Sequence, residues 1–334
     1  MRILLRPRWP VLALLLLAPS IPELLTGSTP ITTLVLNPPA FAIQFLGIVG
    51  LYGTGALLIR EFAAYFRKGW ASVLLLGAAY GIAEEGFAVH TFFEPGGAPV
   101  GALGSYGHLF GVNWLWALGL TVFHATYSIA LPILLVQLWF PLSKGVRWLD
   151  RGAVAVVAFV YLFVVVLFSV VVGYGPTPAA LAFFLAVVAA LLVLAYRVPA
   201  DLLSVRPGPR RIGKWGLALA GTLEFDAWLV VLILSGGRVV PAFVAALVIV
   251  VANLAALGII LRRVGTVDLE RSMFCFAVGM LSILFVFDVV VEFSVPGILA
   301  VSAVFAYLLY RLGRTLDRRA IAVPPAAVMG APGT

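Results

Sequence analysis

Gly77-Ala-Ala-Tyr-Gly-Ile-Ala-Glu-Glu-Gly-Phe-Ala-Val-His90 is the stretch on which the reading of this chain turns. From Trp70 onward the sequence has the apolar run of a membrane-crossing helix, and this segment sets two adjacent carboxylates, Glu84 and Glu85, inside it. Charge in the hydrocarbon layer costs several kcal/mol, so an acid retained there points to a working site.

Composition agrees with a membrane setting. Of 334 residues, 63% are hydrophobic and 11% charged, against about 25% charged in soluble domains. The single cysteine, Cys275, excludes an intramolecular disulfide and any multi-cysteine metal site. With three histidines in the chain, a metal site has to draw on carboxylates, and a divalent ion such as zinc is the cofactor that such donors suit. The net charge of +8 does not mark a nucleic-acid-binding domain, because the basic residues recur between apolar runs as a topology signal. Nor does any glycine-rich phosphate loop open a helix.

Outward from the Glu pair, the pattern predicts an all-α polytopic membrane protein with about ten transmembrane helices. The spans fall near 9–26, 40–60, 70–93, 111–140, 153–172, 179–196, 215–235, 240–261, 272–292 and 296–311. They form one helical domain over 1–315, followed by a disordered cytoplasmic tail over 316–334. The first run, after Arg2, Arg6 and Arg8, fits a signal peptide as well as a retained span, and the retained span is preferred. With the N-terminus and C-terminus both cytoplasmic, every one of the 22 Lys and Arg residues except Arg238 lies inside, as the positive-inside rule requires. These basic loops should attract anionic lipid heads.

The topology gives each buried acid a depth. At 1.5 Å of rise per residue, Glu84 lies about 14 Å below the outer surface and His124 about 18 Å. Glu224 and Asp226 fall at about 14–17 Å and Asp288 at about 12 Å, with Glu23 and Glu292 nearer the rim. One layer thus collects the acids without Lys or Arg. Such a layer needs protons or a bound cation. Asn113, Thr121, His124 and Ser128 share a stripe of the fourth span, and Asp288 and Glu292 share a face. His90 and His108 sit near the outer surface and read as solvated or loop-packing residues. Arg60-Glu61 reads as an interfacial pair ending the second span, and Gly77 and Gly81 as a small-xxx-small contact between helices.

Glu84-Glu85, followed by the span Leu115-Trp-Ala-Leu-Gly-Leu-Thr-Val-Phe-His-Ala-Thr-Tyr-Ser128, resembles the CPBP intramembrane proteases, the CAAX-prenyl-endopeptidase-like group. That family pairs Glu-Glu-x-x-x-Arg with Phe-x-x-x-His and His-x-x-x-Asn motifs. Here Val89 stands at the Arg position, Ser128 at the Asn position, and no histidine follows His124. The resemblance implies that Glu84 and Glu85 activate a water, with His124 assisting. The block Leu51-Tyr-Gly-Thr-Gly-Ala-Leu-Leu-Ile-Arg-Glu61 is similar to those of uncharacterised multi-pass prokaryotic proteins, which implies a cell membrane, prokaryotic and cytoplasmic.

Two functions suit these residues. In an intramembrane hydrolase acting on a membrane-embedded peptide, Glu84 is the general base, Glu85 its partner or a metal ligand, and His124 a ligand or proton shuttle. Asn113 and Ser128 then supply hydrogen bonds to an oxyanion. In a proton- or cation-coupled transporter of a small solute, the same groups and Glu224, Asp226, Asp288 and Glu292 couple ions. A non-catalytic scaffold leaves the acids as packing devices.

Overall fold

The computed structural model describes residues 8–94, 106–205, 208–209, 212–223, 240–265 and 268–322. Eight helices among them are long and apolar enough to cross a membrane. They are α2 (Pro38–Tyr65), α3 (Trp70–Ala88), α4 (Trp114–Trp139), α5 (Arg151–Val171), α6 (Pro178–Arg197), α8 (Ala242–Arg263), α9 (Leu269–Val291) and α10, which runs Ile298–Ala322. Two more segments stand at the positions of the first and seventh expected spans. α1 covers Arg8–Pro19 and continues as a wider turn over Ser20–Leu24. α7 is described over 214–223 only. The continuation of α10 to Ala322 corrects the expected start of the tail, and residues 323–334 lie outside the described residues.

Local chemistry accounts for the helix starts. Asn37 accepts a hydrogen bond from Ala40 N at 3.2 Å and is followed by Pro38 at the first helical position of α2. Asp150 accepts from Ala153 N at 2.9 Å to open α5, and Thr177 from Ala180 N at 3.2 Å to open α6. Each side-chain oxygen satisfies an amide that the first turn leaves free. At the other end of α4, Arg319 of α10 donates to the carbonyls of Leu138 and Trp139 at 2.7 and 3.0 Å. A cation there completes the last turn and complements the helix dipole.

Helices α1 to α5 pack around Leu14, Ala18, Leu51, Tyr52, Ala56, Tyr80 and Ile129. A second cluster joins α4 to α9 and α10 through Tyr127, Leu131, Leu281, Leu284 and Leu312, with the Tyr127 hydroxyl donating to Met280 O at 3.1 Å. By contrast α5 and α6 are largely exposed, as apolar helices facing lipid are.

Arg60 and Glu61 do not end α2, which runs on to Tyr65. They are buried, at 2% and 3% exposure. The Arg60 guanidinium pairs with Glu61, donates to Val146 O and to Ser143 O (2.9 Å), and lies 3.7 Å from the centre of the Trp148 ring. Glu61 accepts from the backbone amides of Trp148 (3.0 Å) and Leu149 (3.2 Å). The pair therefore clamps the loop between α4 and α5 onto α2.

Candidate functional site

The site begins with two glycines. A Cβ on Gly77 would lie 2.8 Å from Ala125 Cα, and one on Gly81 would lie 2.9 Å from His124 Cβ. Without side chains there, α3 and α4 touch backbone to backbone. That contact, foreseen as small-xxx-small packing, sets the Glu pair against His124.

Both helices widen at this level. Residues Ala83–Ala88 of α3 and His124–Ala130 of α4 are π-helical. In α4 the cause is close at hand, because Pro132 has no N–H to offer the carbonyl of Ser128 and its ring crowds that turn. Pro132 thus follows a widened turn of α4. Its effect is to present His124 and Ser128 to α3 together.

Glu84, Glu85 and His124 are 2%, 7% and 2% exposed. His124 Nε2 lies 2.9 Å from Glu85 Oε1, and Nδ1 lies 2.9 Å from Ser128 Oγ. Nδ1 also approaches Glu84 Oε2 to 3.2 Å, yet that oxygen is buried and makes no hydrogen bond. Glu85 and Ser128 thus hold the two ring nitrogens, while Glu84 Oε2 faces Nδ1 unpaired, and a proton or a cation at that oxygen would satisfy it. One ligand atom from each of Glu84, Glu85 and His124 falls within 4.8 Å of the others. Two carboxylates and an imidazole form a donor set that suits a zinc-class divalent ion.

Around the trio stand residues that sequence reasoning passed over. Thr91 donates to Glu85 through its hydroxyl and accepts from Trp116 Nε1 at 3.1 Å. The rings of Tyr52 and Tyr80 have centroids 5.9 and 6.1 Å from that of His124, and the Tyr80 hydroxyl is buried without a hydrogen bond. Glu23, expected near the outer rim, accepts from the Tyr52 hydroxyl at 2.7 Å. Nothing in the local pattern marks Tyr52 or Tyr80 apart from their polar tips in apolar helices.

Other expected site residues go elsewhere. Asn113 is buried but bonds to the carbonyls of Thr91 (3.4 Å) and Glu94 (3.2 Å) and, through Oδ1, to His108 (2.6 Å). It belongs to the two-stranded hairpin of β1 (His108–Leu109) and β2 (Val112–Asn113), which turns through Phe110 and Gly111, both at positive φ, as two-residue hairpins do. So Asn113 does not join the trio. His90 likewise packs the turn after α3, with Nδ1 2.7 Å from Tyr174 O and Nε2 3.2 Å from Ser169 Oγ.

Asp288 is buried on α9 and bonds through Oδ2 to the Ser302 hydroxyl of α10, while Oδ1 has no partner among the described residues. Glu292, just past α9, accepts from the amides of Gly297 (2.9 Å) and Leu299 (3.0 Å). Neither bonds to the trio, so the expected shared layer divides into two places. Glu224 and Asp226 lie outside the described residues.

The two backbone amides at the start of α10 hold the Glu292 carboxyl below its ordinary value of 4.5. A depressed folded-state value contributes stability that is present above the ordinary value and lost as pH falls through the lower one. Acidification below about 4.5 should therefore fray the first turn of α10 in the wild type but not in Glu292→Gln. Amide hydrogen exchange at residues 297–301 reads this out, and equal pH dependence in the two proteins would refute it.

A family model described as "Uncharacterized membrane protein family" matches residues 12–324. This supports a multi-pass membrane protein and does not support kinship with the CPBP proteases. No curated protein and no solved structure matches the chain.

Proposed function

Because the chain belongs to an uncharacterized membrane protein family, we propose its function from the site itself: a buried, water-activating hydrolytic centre acting on a membrane-embedded peptide. The observation that carries this reading is Glu84 Oε2, an oxygen buried without a hydrogen bond 3.2 Å from His124 Nδ1. A water bound there gives its proton to Glu84 as its oxygen attacks the scissile carbonyl. The proton taken up by Glu84 crosses to His124 Nδ1, 3.2 Å away, and His124, oriented by Glu85 and Ser128, delivers it to the leaving amine as the C–N bond breaks. A divalent ion held by Glu84, Glu85 and His124 would polarise the water and the carbonyl. With both termini cytoplasmic, as the basic loops favour, the centre lies in the outer half of a cell membrane.

The test is cleavage of a detergent-solubilised library of membrane-spanning peptides by purified protein, with metal content measured on the same samples. Glu84→Gln is expected to lower cleavage by about 10²–10⁴-fold while the protein remains folded. Cleavage by that variant at the wild-type rate would rule the reading out.

A second reading, proton- or cation-coupled transport of a small solute, is favoured by the adjoining carboxylate Glu23, which Tyr52 links to the trio. Here the wild type cleaves nothing, but reconstituted vesicles show ion-driven solute uptake that Glu84→Gln abolishes.

A further inference from the structure

All four π-helical segments among the described residues meet at this site. They are Ser20–Leu24 of α1, Val49–Gly53 of α2, Ala83–Ala88 of α3 and His124–Ala130 of α4. Single wide turns inside α-helices are uncommon and concentrate at functional sites. Each of these carries a polar group of the cluster: Glu23, Tyr52, the Glu84–Glu85 pair, and His124 with Ser128. Two helices, α1 and α2, thus contribute to a centre that the Glu and His motifs place on α3 and α4 alone.

The hydrogen bonds say what the added pair does. A phenol has a single hydrogen to give. That of Tyr52 goes to Glu23 Oε1 at 2.7 Å. Glu23 Oε2 is held in turn by the Thr29 hydroxyl at 2.7 Å, and Gln44 Nε2 fixes Thr29 Oγ1 from 3.2 Å. Glu84 also lies within reach of both the Tyr52 and the Tyr80 hydroxyls, yet Glu84 Oε2 receives no hydrogen bond of normal geometry. The Tyr52 hydrogen is committed away from it.

We propose that Tyr52, restrained by Glu23, is a positioning residue that keeps Glu84 Oε2 open for the water or ion on which the centre works. The inference rests on the reading of Glu84 as the working base. With Glu23 removed, the Tyr52 hydroxyl turns and donates to Glu84 Oε2, and the open lone pair is lost. Removing the hydroxyl as well reopens it. A merely structural role predicts the reverse, since two lost contacts should do more harm than one.

The chain's three histidines make the test direct. Imidazole-labelled protein in detergent micelles gives ring signals for His90, His108 and His124, assigned by loss of one set in His124→Gln. Glu23→Leu is expected to displace the His124 signals and leave those of His90 and His108 in place. The double variant Glu23→Leu/Tyr52→Phe is expected to return the His124 signals to the positions found in Tyr52→Phe alone. A Glu23→Leu protein with unmoved His124 signals overturns the proposal. So does a double variant as displaced as Glu23→Leu, or a displacement spread over all three histidines. Should Glu23→Leu fail to fold, Thr29→Val, which loosens Glu23 without removing it, is expected to displace the His124 signals in the same direction, and an unmoved signal there overturns the proposal equally. The readout is a resonance and not turnover, so a protein that cleaves no peptide would count against the hydrolytic reading alone.

Discussion

Alanine in place of Arg60 is expected to lower the stability of the protein by about 3–5 kcal/mol, the cost of removing one partner from a buried ion pair. The change leaves the Glu61 carboxylate, 3% exposed, without its counter-charge. It also strips a donor from the carbonyls of Ser143 and Val146 and removes the cation from the face of Trp148. Arg60→Lys keeps the charge but not the planar fork that reaches two carbonyls and a carboxylate at once, so it should fall between the wild type and alanine. Thermal or denaturant unfolding of the purified protein in detergent measures the series. An alanine variant within about 0.5 kcal/mol of the wild type, the range of ordinary surface substitutions, would show that the clamp contributes nothing.

The second large effect is at the centre itself. His124→Leu removes the imidazole that bridges two buried carboxylates. Glu84 and Glu85 then adjoin with neither a counter-charge nor a donor from the imidazole, and a loss of about 3–5 kcal/mol is expected. The triple variant Glu84→Gln/Glu85→Gln/His124→Leu has no charge left to strand, so it should recover much of that loss although it removes more of the native site. Unfolding of both variants in detergent separates the two cases. If the triple variant proves the less stable of the two, the cost lies in packing and not in charge.

Both effects concern groups whose types and positions are plain in the sequence, yet their settings were legible to different degrees. Arg60-Glu61 reads as an interfacial pair because charge at the end of an apolar run ordinarily meets water. The loop carrying Ser143, Val146 and Trp148 covers it, and that loop is more than eighty residues away in the chain. The Glu84–His124 encounter was legible because depth is a count of residues at a fixed rise per residue, and the two counts agree. Ser128 followed from it, one helical turn from His124. Asn113 failed by the same logic: it lies on the His124 stripe only if the helix extends to it, and the chain there forms a hairpin instead.

The sequence by itself determined that this is an all-α multi-pass membrane protein, where most of its spans lie, and that Glu84, Glu85 and His124 share a level. Those properties follow from hydropathy and helical rise, which are local. The tertiary structure alone decided which acids at that level meet. It turned Glu23 and Tyr52 toward the trio, and it paired Asp288 with Ser302 and Glu292 with the start of α10. The rotation of a helix about its own axis is set by what it packs against, through the bare backbone at Gly77 and Gly81 and the widened turns of α1 to α4. In Gly77-Ala-Ala-Tyr-Gly-Ile-Ala-Glu-Glu-Gly-Phe-Ala-Val-His90 the acids are in view. Their partners depend on three other helices.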